Sequence, residues 1–243
     1  MLSRNFSSLA VIMGVLAAPA AMAEQKWSDA SVTYLNGNKY EVGDDSRQVM
    51  TFEHASGHDW GTTFFFMDYL MSDNGTKEHY FELSPRLSLN YLTKGKLVPE
   101  GHFIKDVYLS GTMEGGGKAT NYLGGVGVSL DVPKFKYFNV DLYQANNGGG
   151  KDNDQQATVT WALPFQIGSA EFLYDGFLDA STKADDHAAE TNFTSQLKWN
   201  MGKQLFHTKK PVYVGFEYAH WKNKFGIDGV TEKNPSFLLK AHF

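Results

Sequence analysis

The sequence predicts an all-β protein, a twelve-stranded antiparallel transmembrane β-barrel, and three observations carry that expectation. Residues 80–91 alternate strictly: Phe81, Leu83, Leu87 and Leu89 fall on one face, and Glu82, Ser84, Arg86, Ser88 and Asn90 on the other. A period of two is what a strand imposes, and at about 3.3 Å per residue this one reaches roughly 40 Å, enough to cross a tilted bilayer. Comparable alternations recur along the chain, twelve in all, an even number that returns both ends to one side. Finally, Glu82, Arg86, Asp106, Asp131, Asp141, Glu171, Asp175, Lys198, Glu217 and Lys240 lie opposite apolar neighbours. A charge at the lipid midplane costs about 2–4 kcal/mol, acids less, so these side chains are expected to face a wet, net acidic lumen. A soluble sandwich would instead bury the apolar face and expose the charges to solvent.

Taken in order, residues 1–23 carry Arg4, the apolar run 9–16 and the small-residue site Ala21-Met22-Ala23, the pattern of a secretory signal cleaved before Glu24. The apolar run is too short for a membrane anchor, which needs about 20 residues. The barrel is expected over 24–243. Removing Arg4 takes the formal charge from −5 to −6, which argues against a nucleic acid polymer as partner. There is no cysteine, so an exported chain must rely on closed hydrogen bonding rather than disulfides. Hydrophobic residues make up 42% of the chain yet never form a long run after the leader. That excludes a transmembrane helix and leaves alternation as the way to store them.

The first two strands are expected at 30–35 and 48–54, joined by a polar loop. A third, 60–69, contains Phe64, Phe65 and Phe66, which blur its facing. An Asn74-Gly75 turn leads to the 80–91 strand. Beyond Gly101, Val107, Leu109 and Met113 oppose Asp106, Tyr108, Ser110 and Thr112. After the turn Gly115-Gly116-Gly117, Tyr122, Val126, Val128 and Leu130 oppose Gly125, Gly127, Ser129 and Asp131. Phe138, Val140 and Leu142 then oppose Asn139, Asp141 and Tyr143, and Val159, Trp161 and Leu163 oppose Thr158 and Thr160. In 169–180 the acids Glu171, Asp175 and Asp179 share a face. Phe193, Leu197 and Trp199 oppose Thr194, Gln196 and Lys198, and Val212, Val214, Phe216 and Tyr218 oppose Tyr213, Gly215 and Glu217. The last strand sets Phe237, Leu239, Ala241 and Phe243 against Leu238, Lys240 and His242. Loops after odd strands (36–47, 70–79, 114–119, 145–154, 181–190, 222–234) are mostly longer and more polar than turns such as 132–135 and 165–167. The connections 92–102 and 201–211 are exceptions. The asymmetry is that of a barrel in the outer membrane of a Gram-negative bacterium. Trp60, Tyr91, Trp161, Trp199 and Trp221 read as interfacial girdle anchors.

Asp59-Trp60, the run Glu82-Leu83-Ser84-Pro85-Arg86-Leu87-Ser88, Tyr122-Leu123-Gly124-Gly125-Val126-Gly127, Tyr143, residues 218–221 and the terminal aromatic strand together resemble the Tsx-type nucleoside-specific outer-membrane channel family. The resemblance covers nearly all of the mature chain. It implies a monomeric barrel with a narrow channel that admits nucleosides, and gives Phe243 the look of the carboxy-terminal assembly signal of such barrels. One branch of that family is known chiefly as bacteriophage receptors. Partners on this reading are nucleosides or other small polar solutes, outer-membrane lipid and a possible phage.

The candidate pore-lining and solute-binding residues are Glu82, Arg86, Asp106, Tyr108, Asp141, Tyr143, Asp175, Phe177, Tyr213 and Glu217, with Phe64 and Phe66 open alternatives in the blurred strand. Rings suit an uncharged solute, since base stacking contributes about 1–3 kcal/mol and tolerates different bases. Such rings also simply fill barrels. No cofactor or metal is called for: His54 and His58, with Glu53 and Asp59, straddle a strand end and a turn rather than one helix face. Gly115-Gly116-Gly117-Lys118 and Gly148-Gly149-Gly150-Lys151 lack the following Ser or Thr of a phosphate-binding loop. No nucleophile, base and orienting group stand out, so no catalytic residue is expected. The rival readings are a receptor barrel, a small general pore and a lipid-active barrel enzyme.

Overall fold

Every strand pairs with its sequence neighbours, and the last closes on the first. The structure, a computed structural model, describes residues 24–117 and 119–243; the expected leader 1–23 lies outside the described residues. The strands are β1 (Gln25–Gly37), β2 (Arg47–His58), β3 (Gly61–Ser72), β4 (Lys77–Ser88), β5 (Ile104–Gly116), β6 (Ala119–Leu130), β7 (Tyr137–Asn146), β8 (Gln155–Ile167), β9 (Ala170–Ser181), β10 (Glu190–Asn200), β11 (Val212–Lys222) and β12 (Thr231–His242). They form one closed, antiparallel ring of twelve. Closure leaves no unpaired edge, which an open sheet in lipid would have to hide. Among the described residues no helix is long and apolar enough to cross a membrane, so any crossing falls to these strands.

The strands are longer than the alternation alone marked, most of them 12 or 13 residues. At about 3.3 Å per residue and a tilt near 40°, that length gives a wall roughly 30 Å tall. Alternation holds most cleanly in β12, where Glu232, Asn234, Ser236, Leu238 and Lys240 are buried and Lys233, Pro235, Phe237, Leu239 and Ala241 exposed. The outer wall carries Met67, Leu109, Val126, Leu142, Leu197, Phe216 and Phe237, all exposed to the surroundings. Phe216 and Phe237 meet edge to face at 6.4 Å. A surface this apolar is stable only against lipid.

The seam between β12 and β1 is held by register Ser31↔His242 to Gly37↔Ser236. The amide of Phe243 donates to Ala30 O at 3.0 Å, and His242 Nδ1 meets Asp29 Oδ2 at 2.7 Å. One ladder is interrupted by chemistry: pairing of β4 with β5 skips from Leu83↔Met113 to Arg86↔Ser110. Pro85, which has no N–H to give, sits in the gap, and Thr112 Oγ1 donates to Ser84 Oγ at 3.1 Å to span it.

Three expectations are corrected. The fourth strand ends at Ser88, where residues Leu89–Leu92 form one helical turn capped by the Ser88 hydroxyl, so Asn90 and Tyr91 leave the wall. Asp131 lies in the turn after β6, paired with Lys105 at 2.9 Å and largely exposed, and does not line the lumen. Trp221 sits on the inward face of β11, opposite Asn192, and gives its indole N–H to Glu190, so it is no lipid-facing anchor.

Candidate functional site: the lumen and its mouth

The inner wall is built around a cross-barrel ion pair. Arg86 on β4 reaches past β5 and β6 to Asp141 on β7, Nε to Oδ1 at 3.0 Å. Two intervening strands are crossed because β6 presents only Gly125 and Gly127 at that level. A Cβ on Gly127 would stand 1.9 Å from Asp141 Oδ1 and 2.8 Å from Ser110 Oγ. In the trough so left, Ser110 donates to Asp141 at 2.5 Å and the Arg86 guanidinium lies 4.0 Å from the centre of the Tyr108 ring. The Arg86 and Asp141 side chains are 11% and 6% exposed. Burial of a charge is tolerated where a partner and hydrogen bonds surround it.

Across the lumen, β10 and β12 supply the other cations. Lys198 Nζ is 2.8 Å from Asp175 Oδ1 and donates to Gln196 Oε1 at 2.6 Å, and Gln196 in turn donates to Glu217 at 2.8 Å. Lys240 pairs with Glu53 of β2, reaching over β1, where Ser31 also donates to that carboxylate at 3.2 Å. Tyr213 lies 5.7 Å from Lys198 Nζ and meets His242 edge to face.

A second set of inward carboxylates is held by neutral donors. Thr51 donates to Asp68 and Thr158 to Asp179, both at 2.5 Å. Tyr80 donates to Glu82 at 2.6 Å and Asn121 to Glu114 at 3.1 Å. Glu82 and Glu114 are direct cross-strand neighbours, and Asp179 faces in from β9 on another part of the wall. Beside this acidic tier stand rings. Pairing of Phe66 with Glu53 and Glu82 settles the blurred strand: Phe64 and Phe66 face in, and Phe65 and Met67 face out. Phe177 faces in from β9, half-way round the ring from β3. It stands two residues from Asp179, on the same inward face of β9.

At the end opposite the termini the loops turn inward. Tyr40, in the β1–β2 loop, packs on the inward residues Leu35, Val49 and Leu238, and Lys39 N and Glu41 N donate to Asn234 and Glu232. Burial, with Glu217 adding, pushes the Tyr40 hydroxyl up to about 12. Asp44 accepts from Asn74 N at 2.6 Å, joining two loops; that bond, with one from Ser46 N, holds its carboxyl below the usual range. Lys224, in the β11–β12 loop, binds Glu232 at 2.5 Å and lies 4.5 Å from the Trp221 ring and 5.5 Å from the Tyr40 ring.

Of the sequence-derived candidates, Glu82, Arg86, Tyr108, Asp141, Tyr143, Asp175, Phe177, Tyr213 and Glu217 stand on inward positions. Asp106 stands at the rim, where Ser88 Oγ donates to it at 2.6 Å and the helical turn is anchored. The structure gathers Arg86, Tyr108 and Asp141 into one cluster and Asp175, Tyr213 and Glu217 around Lys198. Tyr108 and Tyr143 are each only 8% exposed, whereas Phe64 is 38% exposed. Glu53, Glu114 and Lys224 were not singled out for the lumen, because their roles depend on which strands closure brings together. The residues with a metal-like look part company: Glu53 pairs with Lys240, His58 stacks on Trp60 and Asp59 pairs with Lys26. Among the described residues no group of three or more such side chains is placed to hold a metal.

The fold is shared with known barrels. The "KdgM porin" superposes with a TM-score of 0.52 at 7% identity, over 88% of this chain and 99% of that one. Its complex with disordered oligogalacturonate gives 0.51 at 8%, over 88% and 99%. The outer membrane protein Omp33 of Acinetobacter baumannii follows at 0.42 and 10%, over 88% and 97%. No match is found among curated proteins. Residues 22–236 match the family described as "Nucleoside-specific channel-forming protein, Tsx". With that match spanning almost the whole barrel, this chain is an outer-membrane, porin-like β-barrel that belongs to the Tsx family.

Proposed function

We propose that the barrel is a passive channel for nucleosides and performs no bond chemistry. The observation that carries this reading is the set of inward rings, Phe64 and Phe66 on β3 and Phe177 on β9 half-way round the ring, with carboxylates held by neutral donors beside them: Glu82 paired with Phe66 and Asp179 two residues from Phe177. A nucleoside has an uncharged flat base and a hydroxyl-rich sugar. The base stacks on a ring for about 1–3 kcal/mol, and the sugar hydroxyls donate to carboxylates for about 1 kcal/mol net each. Glu82 and Asp179 retain acceptor capacity, since each takes a single bond from its neutral neighbour. Tyr108 is covered by Arg86 and Tyr143 is buried, so stacking falls to the phenylalanines. Membership of the family supports the same solute. Proteoliposomes carrying the pure protein should admit labelled adenosine faster than a hexose of similar size. Equal rates would leave a general pore.

A further inference from the structure

The β9–β10 loop (182–189) carries a histidine with a carboxylate on each ring nitrogen. His187 Nε2 is 2.9 Å from Asp154 Oδ2 of the β7–β8 loop, and Nδ1 is 2.5 Å from Asp186 Oδ1. The His187 side chain is 8% exposed. A neutral imidazole has one N–H and can donate to only one of these acceptors. With both ring nitrogens against carboxylate oxygens, the arrangement requires the imidazolium.

Further contacts join these loops to the β11–β12 loop over the lumen. Asp152 N donates to Asp186 Oδ2 at 3.1 Å, and Ala188 N to Gly226 O at 2.9 Å. Lys151 Nζ donates to Phe225 O at 3.3 Å. Gly226, with φ of +75°, presses so close that a Cβ there would be 2.8 Å from His187 Cβ. The loops overhang the lumen: the β11–β12 loop that they join sets Lys224 4.5 Å from the inward Trp221 ring, and Trp221 donates to Glu190 at the inward start of β10.

We propose that charged His187 is a latch that holds the loops 147–154 and 182–189 together over the mouth, and that its deprotonation opens them. Without the second proton, one carboxylate faces a lone pair. Asp154 and Asp186 then repel each other without a cation between them, with Asp152 on the first loop, Asp185 on the second and Glu190 at the start of β10 adding to the negative field. Lys151 and Lys224 are the nearby cations, engaged with Phe225 O and Glu232. Burial opposes the charge on His187, but the bonds and charges of Asp186 and Asp154 outweigh it and raise its pKa above the ordinary 6.5. A raised pKa means that the latch is complete below the ordinary histidine range and is lost as pH rises through the raised value.

The test is single-channel conductance of the full barrel in planar bilayers, titrated from acid to mildly alkaline pH. Conductance should step upward with a midpoint above 6.5. His187→Gln should lose the step and stay in the high-conductance state. Asp154→Asn, which keeps size and an acceptor, should retain the step but move its midpoint down by about one unit, and it secures the test if the first variant fails to insert. A flat wild-type titration, or a step unchanged in His187→Gln or in Asp154→Asn, would overturn the latch.

Discussion

Gly127→Ala adds one methyl group to the lumen wall, and its consequence can be worked from the trough it fills. The new Cβ would lie 1.9 Å from Asp141 Oδ1, against 3.4 Å for ordinary contact, so the carboxylate must recoil by about 1.5 Å. The Arg86–Asp141 separation of 3.0 Å then becomes about 4.5 Å. At an effective dielectric constant near 20 the attraction falls from about 5.5 to about 3.7 kcal/mol. Loss of the Ser110 hydrogen bond adds about 1 kcal/mol. The expected cost is therefore about 3 kcal/mol, read by urea titration of the barrel in lipid vesicles. In an Asp141→Ala background only the Ser110 hydroxyl, 2.8 Å away and free to rotate, stands in the way, and the same methyl should cost less than about 1 kcal/mol. Equal costs in the two backgrounds would refute the proposed reach of Arg86 across β6.

Two further outcomes follow from the same wall. Arg86→Ala removes a lumen cation and leaves Asp141 with Ser110 alone, so the pore should become more cation-selective; an unchanged reversal potential in a salt gradient would take Arg86 out of the conducting path. Deleting Phe243 removes the amide bonded to Ala30 O and an exposed ring at the closing seam. It should lower the yield of heat-modifiable, membrane-inserted barrel while leaving synthesis and export intact, and a normal yield would deny the residue its assembly role.

Facing was legible in the sequence wherever polar and apolar residues alternate, because a strand's period of two leaves no third choice. Glu82, Asp141 and Glu217 were readable in this way. The alternation failed at Phe64-Phe65-Phe66, where neighbours of one kind carry no phase. There only the pairing of Phe66 with Glu82 decides. Partners across the lumen were not legible at all. That Arg86 meets Asp141 depends on ring closure and on the missing side chain of Gly127, two strands from Arg86. Trp221 misled because strand-end aromatics are common on both faces of a barrel. The inward fold of the loops, with Tyr40 against Lys224, arises from contacts between residues some 180 positions apart and leaves no local periodicity to read.

The nucleoside reading meets its most direct test in the block of ion current. Stacking at about 1–3 kcal/mol and one or two net hydrogen bonds of about 1 kcal/mol each together approach the roughly 4 kcal/mol of a millimolar dissociation constant. Adenosine at about that concentration or below should interrupt the current through the unaltered barrel, a hexose of similar size should not, and Phe177→Leu should weaken the block about tenfold. Uninterrupted current in the presence of adenosine would contradict the assignment of nucleosides to this lumen.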